Sequence, residues 1–126
     1  METGFYIKEF YGNGQIEWDI PKINKKRHGI ARKYYSNGTI EIERNYVSGL
    51  IQGIEKCFYP DGKMEVETEY RDGLKEGFCR RYHRNGNLEI MCFYKNNLKN
   101  GIFKRWDDMG NLIHNLIFKN GEQINV

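Results

Sequence analysis

The sequence contains little of what builds helices. Alanine, the strongest helix former, occurs once in 126 residues, at Ala31, whereas glycine occurs 14 times and tyrosine 9 times. Only 2 residues are proline and 14% are aromatic, a composition that excludes a disordered chain. No run of about 18 apolar residues is present, which argues against a membrane-spanning helix. The expected class is a folded protein of strands and tight turns.

Cysteine and net charge are also scarce. The three cysteines, Cys57, Cys79 and Cys92, are odd in number and irregularly spaced, so they do not suggest a disulfide framework. The first residues show neither the basic nor the apolar region of a secretion signal, and we therefore expect a cytoplasmic protein. A net charge of +3 is too small to indicate nucleic-acid binding by itself.

Glycine recurs every 24 residues, which is the strongest signal in the sequence. The first series ends the turns of the Asn/Asp-Gly type and consists of Gly14, Gly38, Gly62, Gly86 and Gly110. Two further series keep the same step, at Gly29, Gly53, Gly77 and Gly101 and at Gly49, Gly73, Asn97 and Gly121. This period predicts one repeat domain over residues 1–126, with units at about 5–28, 29–52, 53–76, 77–100 and 101–124.

Each unit carries two turn signals, which predict two strands. Pro60-Asp61-Gly62 is typical of a three-residue hairpin loop, with Pro at the first corner and Gly in the left-handed position. The second signal, as in YRDGL at 70–74, reverses the chain again. Loops this short join antiparallel neighbours. We therefore expect an all-β fold, an elongated antiparallel meander of about ten short strands built from five 24-residue hairpin repeats.

Side-chain alternation is consistent with this meander. Before the first turn of each unit, an apolar, a basic and an aromatic residue occur two apart, as in 54–58. The aromatic residue should lie across from the first apolar residue after the turn, such as Met64. We expect the apolar residues to collect on one face. The regularly spaced glutamates should lie on the other face, with Lys33 and Arg81 as cross-strand neighbours.

The segments GIARKYYSNGTIEIERNYVSGLIQG and GIEKCFYPDGKMEVETEYRDGLKEG resemble the MORN-variant repeats of bacterial proteins grouped as YwqK-like antitoxins. In those repeats Gly, then Tyr-Tyr-x-Asn-Gly, then Tyr-x-x-Gly recur at this spacing, and the resemblance extends over residues 5–124. It implies an elongated antiparallel β-repeat fold and an interaction role, with no catalytic residues to transfer. The end units depart from the pattern at Lys25, Met109 and Ile113, as is typical of units that cap an array.

No catalytic or metal-binding constellation is indicated. The three histidines occupy three different positions within the unit, near no recurrent nucleophile or carboxylate pair. Strand alternation places Cys79 and Cys92 on opposite faces, and Cys57 lies in another unit, so a shared metal site is not suggested. We therefore expect a protein that is not an enzyme and that has no cofactor and no metal site.

Two surfaces are candidates for binding. Amphipathic rings beside the first turns, at the rim of the sheet, are suited to anchor a protein partner. These residues are Tyr11, Tyr35, Tyr59 and His83. A basic patch at 22–28 replaces the regular turn of the first unit and would attract an acidic partner or an anionic membrane surface. The patch consists of Lys22, Lys25, Lys26 and Arg27.

Our preferred hypothesis is a non-catalytic protein-interaction module. A toxin as its partner would make the chain an antitoxin or immunity protein. The alternative is a membrane-associated scaffold held by the basic patch. Nucleic acid ranks third, because the regular glutamates offset the column of basic residues. Residues 111–118 are apolar on both faces, which predicts an edge that packs against its own C-terminal tail or pairs end to end with another copy.

Overall fold

The computed structural model describes residues 4–125, which form an all-β structure without helices. The strands are β1 (Gly4–Phe10), β2 (Ile16–Ile23), β3 (Lys26–Arg27), β4 (Gly29–Tyr34), β5 (Ile40–Val47), β6 (Leu50–Ile51), β7 (Gly53–Phe58), β8 (Met64–Arg71), β9 (Leu74–Tyr82), β10 (Leu88–Lys95), β11 (Leu98–Lys99), β12 (Gly101–Trp106), β13 (Leu112–Lys119) and β14 (Glu122–Ile124). The described chain thus contains no helix that could span a bilayer.

All strands belong to one open antiparallel sheet. Its order is β1-β2-β4-β5-β7-β8-β9-β10-β12-β13-β14, and the two-residue strands β3, β6 and β11 pair with β2, β5 and β10. Each of these short strands precedes β4, β7 or β12 in the same row, so the sheet has eleven rows. At roughly 4.8 Å per row it is about 50 Å across. The predicted meander of hairpin repeats is confirmed.

The first turn of each unit is the three-residue loop that the sequence predicts. In the second unit the N–H of Tyr35 donates to the carbonyl of Thr39 (2.8 Å), and the N–H of Gly38 donates to the carbonyl of Tyr35 (2.9 Å). Gly38 has a φ of 90°, where a side chain would be strained. The turn glycines share a φ between 88° and 93°: Gly14, Gly38, Gly62, Gly86 and Gly110.

The second turn is a two-residue loop of a different type. Both of its central residues have positive φ, as at 48–49 (48° and 89°), which is the type I′ conformation that matches the twist of a hairpin. Asn97 takes a φ of 69° in place of glycine, as expected. Asn24 and Lys25 form the same turn, with φ of 50° and 67°. The prediction that residues 22–28 replace the regular turn is therefore wrong, because Lys25 adopts the left-handed conformation without glycine.

A β-bulge after every first turn divides the apolar residues between the two faces. Tyr34 pairs with Ile40, as predicted, but Lys33 pairs with Ile42, which leaves Glu41 as the extra residue. Directly paired residues share a face, whereas Lys33 and Tyr34 point to opposite faces. Ile40 and Ile42 therefore lie on opposite faces, and the expectation of a single apolar face is wrong. The aromatic–apolar pair itself recurs in all five units.

We call the two sides of the sheet the core face and the open face. The core face carries the buried residues Ile20, Ala31, Tyr46, Thr68 and Cys92. Of these, Ile20, Ala31 and Tyr46 form one cluster, against which Ile7, Trp18 and Ile51 pack. The open face carries large apolar side chains that are 39% to 49% exposed: Ile30, Ile54, Phe93, Ile102 and Ile117. A single layer of strands thus leaves much apolar surface in water.

The glycines that begin the repeat units pair with aromatic residues. Four such pairs cross neighbouring strands: Gly29 with Tyr46, Gly53 with Tyr70, Gly77 with Tyr94, and Gly101 with Phe118. An aromatic ring beside a strand glycine restores packing that the missing side chain does not supply. At Gly77, whose φ is 113°, a Cβ would collide with the carboxylate of Glu69. The second glycine series keeps the repeat period because all four of its glycines have positive φ, between 84° and 113°.

The C-terminal edge is covered in part by the chain itself. β14 pairs with residues 117–119 of β13, which confirms that the tail packs on this strand. Phe118 also makes an edge-to-face contact with Phe103 at 5.8 Å between ring centroids. Within the described residues, the outer edge of β13 has no strand partner over 112–116. Pairing with another copy is not tested by this arrangement.

Candidate interaction surface

The four rings proposed as partner anchors tie successive repeat units together. Three tyrosine hydroxyls each donate to a backbone carbonyl 23 residues later, at 2.6 Å: Tyr11 to Tyr34, Tyr35 to Phe58 and Tyr59 to Tyr82. Nε2 of His83 donates to the carbonyl of Trp106 at 2.8 Å in the fourth unit. All four side chains are half-buried. Their role in partner binding stays a prediction, but each has a structural role that the sequence reasoning missed.

The turn asparagines add a second contact at the same edge. The side-chain amide of Asn85 donates to the carbonyl of Asp108 at 2.7 Å, and Asn13 and Asn37 make longer contacts of 3.4 Å with the next turn. Each side-chain oxygen also accepts the N–H two residues later, as in an Asx turn. Asp61 takes this position in the third unit and has no amide to donate. We call these contacts, together with those of the four rings, the turn-edge ladder.

The opposite edge of the sheet has its own ladder. The residue before each unit glycine accepts a hydrogen bond from a backbone N–H 20 residues later. The pairs are His28 with Ser48, Gln52 with Asp72, Glu76 with Asn96, and Asn100 with Asn120. A recurrent polar residue before the unit glycine is the sequence signal that could have revealed this contact.

The basic patch lies on a regular turn and on both faces of the sheet. Lys22 and Arg27 are direct cross-strand neighbours, and Ile23 pairs with Lys26 on the other face. The guanidinium of Arg27 lies 5.5 Å from the ring centroid of Tyr46. Lys25, Lys26 and Arg27 are exposed. Over residues 4–125, none of the four cations forms an ion pair, which leaves their charges available to an anionic partner.

The cysteine prediction is wrong in one respect. Cys79 of β9 and Cys92 of β10 are direct cross-strand partners and therefore share the core face. The cause is the bulge between Leu88 and Ile90, which shifts the alternation of β10 by one residue. All three cysteines are free thiols. The described residues contain no group of three His, Cys, Asp or Glu side chains arranged to hold a metal ion.

Four ion pairs of the described residues involve core-face cations and lie on the core face or beside the bulges. Nε of Arg44 and Oε2 of Glu55 are 2.8 Å apart, with side chains only 21% and 13% exposed. The two cations expected opposite the glutamates also form pairs, Lys33 with Glu41 and Arg81 with Glu65, each at 3.4 Å. The two pairs at 3.4 Å lie beside the bulges and are partly exposed, and such surface pairs contribute little to stability.

A row of alternating charge crosses the open face. Consecutive cross-strand neighbours in this row are Lys8, Asp19, Arg32, Glu43, Lys56, Glu67, Arg80, Met91 and Lys104. Nε of Arg32 donates to Oε2 of Glu43 at 3.0 Å, which raises the pKa of the guanidinium. Glu67 is the last acidic residue in this row. The last two units therefore present Arg80 and Lys104 without a following carboxylate.

An apolar stripe lies beside the basic end of this row. We define the C-terminal stripe as Phe78, Phe93, Ile102, Ile117 and Ile124. Phe78 pairs with Phe93, and Ile117 pairs with both Ile102 and Ile124. At the same repeat position as Phe93 and Ile117, the second and third units have the polar residues Asn45 and Glu69. Along this row of the open face, Asn45 and Glu69 interrupt the apolar side chains, whereas every side chain of the row from Phe78 to Ile124 is apolar.

Comparison with protein families identifies the repeat. A model described as MORN repeat variant matches residues 27–48, 51–72 and 75–96, which together make up just over half of the chain. These segments coincide with the second, third and fourth hairpin units. No curated protein matches the sequence. The chain belongs to the family of MORN repeat variants.

Proposed function

We propose that the protein is a non-catalytic binding module and that the open face of its last two units contacts a folded protein partner. MORN repeats are interaction modules in general, which supports a binding role. The observation that carries the proposal is the C-terminal stripe, because contiguous exposed apolar surface is typical of interaction sites. Ile102 and Phe93 are 44% and 40% exposed within it.

Charge indicates the chemistry of this partner. Arg80 and Lys104 flank the stripe and have no acid beyond Glu67 in their row. A partner with an apolar centre and an acidic rim would complement this arrangement. A stable interface needs about 800 Å² from each partner, and the whole open face offers roughly 1,000 Å², so the last two units would form the apolar part of the interface and not all of it. The open face is therefore large enough to be a complete binding site.

A matched pair of variants tests the proposal. Ile54 and Ile102 occupy the same position of the repeat and are 42% and 44% exposed, but only Ile102 belongs to the C-terminal stripe. A partner captured with the wild-type protein should be purified and its affinity measured by calorimetry. We expect Ile102→Glu to weaken binding by about 30-fold, the effect of a hot-spot residue, and Ile54→Glu to change it little. Equal effects of the two variants would refute the assignment of the surface.

We further propose that the partner is a toxin, which would make the chain an antitoxin or immunity protein of the cytoplasm. The support is the resemblance of residues 29–76 to the repeats of YwqK-like antitoxins, and the three free thiols agree with a reducing compartment. Co-expression with a candidate toxin tests the idea. The wild-type chain should restore growth and Ile102→Glu should not; growth arrest with the wild-type chain rejects that toxin.

The basic patch supports a second candidate function, a membrane-associated scaffold. Lys25, Lys26 and Arg27 are exposed and have no carboxylate partner in the described chain. Binding to vesicles with anionic lipid should then be lost with rising salt and with Lys25→Glu/Lys26→Glu. Absence of binding at low salt excludes this role.

End-to-end pairing of two copies through residues 111–118 is a further proposal for self-association. It is supported by the outer edge of β13, which has no strand partner over 112–116 in the described chain. Analytical ultracentrifugation over a range of protein concentrations tests it. A sedimentation coefficient that stays monomeric throughout would refute it.

A further inference from the structure

Two cysteines face each other across neighbouring strands of the core face. Cys79 pairs directly with Cys92, so the two side chains point to the same face of the sheet. The N–H of Asn100 donates to the carbonyl of Phe93, so the backbone of Cys92 points the other way, toward β9. Such hydrogen-bonded pairs have Cα atoms about 5.5 Å apart. That separation lies within the range that a disulfide spans.

The surroundings distinguish the two sulfur atoms. Cys79 is half-buried, whereas Cys92 is 3% exposed. Thr68 Oγ1 lies 3.5 Å from Cys79 Sγ, and the charges of Lys75 and Arg81 act on the same sulfur. The neighbouring Cys92 thiol, acting as a hydrogen-bond donor, together with these groups lowers the pKa of Cys79. The pKa of Cys92 is raised, because its proton interacts with the Cys79 sulfur and its thiol is buried.

The third cysteine has the opposite environment on the same face. Cys57 lines the same open depression, of about 390 Å³, as Cys79 and Cys92. Burial, followed by the charges of Glu55 and Glu65, raises the pKa of Cys57 to about 12. The depression is therefore lined by two thiols whose pKa values shift in opposite directions, that of Cys79 downward and that of Cys57 upward.

We propose that Cys79 and Cys92 form an oxidisable thiol pair that reacts with small hydroperoxides, with Cys79 as the nucleophile and Cys92 as the resolving thiol. The Cys79 thiolate attacks the terminal oxygen of the peroxide, the O–O bond breaks, and the alcohol or water leaves with one proton. The Cys92 sulfur then attacks the sulfenic acid, the S–O bond breaks, and water leaves as the S–S bond forms. Two thiols and one hydroperoxide thus give one disulfide, one alcohol or water, and one further water.

The open depression suits the reaction of Cys79 with the peroxide, and the pairing of the two cysteines suits the formation of the disulfide. A small peroxide reaches Cys79 from the core face without displacing a strand, because the sheet is one layer thick. The resolving thiol lies directly across from Cys79 on the neighbouring strand, so the second step needs no opening of the β9–β10 pair. Cys57 belongs to another hairpin and lacks such a neighbour.

Alkylation rates provide the first test. Timed labelling with iodoacetamide at pH 7, followed by peptide mass spectrometry, measures each cysteine of the folded protein separately. The lowered pKa of Cys79 gives it a larger thiolate fraction at pH 7 than Cys57, whose pKa is raised, and its lower intrinsic nucleophilicity offsets only part of this advantage. We expect Cys79 to react on the order of 10-fold or more faster than Cys57. Comparable rates for the two residues would overturn the assignment of the nucleophile.

Peroxide treatment provides the second test. Hydrogen peroxide should give the wild-type chain and the Cys57→Ser control an intramolecular Cys79–Cys92 disulfide, found by peptide mapping without reduction. In Cys92→Ser the reaction should stop at the Cys79 sulfenic acid, trapped with a dimedone reagent, and Cys79→Ser should give neither product. Circular dichroism checks that each variant keeps the wild-type strand signal. No Cys79–Cys92 disulfide in the folded wild-type protein, or one that involves Cys57, would refute the proposal.

Discussion

The hydroxyl of Tyr35 is expected to stabilise the joint between the second and third repeat units. It donates to the carbonyl of Phe58 at 2.6 Å, and burial raises its pKa, as expected where water has restricted access. Tyr35→Phe removes this donor and keeps the ring. The lost hydrogen bond and the partly buried carbonyl left without a donor should cost about 1 to 1.5 kcal/mol.

The size of the effect follows from the form of the array. Stability in repeat proteins is a sum of unit and interface terms, and the bond from Tyr35 belongs to one interface only. Tyr59→Phe removes the equivalent bond at the next interface, between the hydroxyl and the carbonyl of Tyr82. The double variant should therefore lose about twice as much, roughly 2 to 3 kcal/mol. Each single change should lower the Tm by about 3 to 5 °C for a domain of this size.

Urea unfolding followed by circular dichroism measures these differences, and Tyr6→Phe is the matched control. Tyr6 is 65% exposed and its hydroxyl makes no hydrogen bond in the described structure, so its loss should change stability by less than about 0.5 kcal/mol. A Tyr35→Phe variant as stable as Tyr6→Phe would refute the role of the turn-edge ladder. An unchanged m-value would show that the loss comes from the folded state.

Two other features predict measurable changes. Burial raises the pKa of Tyr94 to about 12, above the unfolded value of about 10. Its contribution to stability is therefore complete below pH 10 and is lost as the pH rises toward 12. Tyr94→Phe should make the unfolding free energy fall less steeply over this pH range, and an unchanged slope would contradict the argument. Gly77→Ala should lower the unfolding free energy more than Gly62→Ala. Both glycines have positive φ, where a side chain costs about 1 to 2 kcal/mol, but only at Gly77 does the new methyl group also meet the carboxylate of Glu69. Gly12→Ala, with open space around it, should be neutral in the same urea titration, and equal costs at all three positions would count against the reasoning.

The repeat architecture was predictable from sequence because its signals are local. A glycine at a fixed step and a Pro-Asp-Gly turn determine where the chain reverses, and strand pairing between Phe58 and Met64 follows from loop length. The interaction role was inferred from the family pattern and not from any single residue. The same pattern indicated neither face as the binding surface.

The distribution of side chains between faces was not predictable in the same way. One bulge residue per hairpin, such as Glu41, reverses the alternation for the rest of its strand, and a glutamate in a strand does not mark a bulge. The assignment of Cys79 and Cys92 to opposite faces failed for this reason. The turn tyrosines were recognised as recurrent, but a bond from Tyr35 to a carbonyl 23 residues later depends on how units stack.

The turn of the third unit shows that the turn-edge ladder tolerates a substitution. Asp61 replaces the asparagine that elsewhere donates to the next turn, so this joint loses an amide contact. Its tyrosine remains, since Tyr59 donates to Tyr82, and the guanidinium of Arg84 lies 5.1 Å from the Tyr59 ring centroid. A cation over a ring contributes about as much as one exposed hydrogen bond. The turn edge thus adds side-chain contacts to the strand pairing that joins neighbouring units. Ile102 takes part in none of these turn-edge contacts and is 44% exposed, so Ile102→Glu should alter binding before it alters the fold.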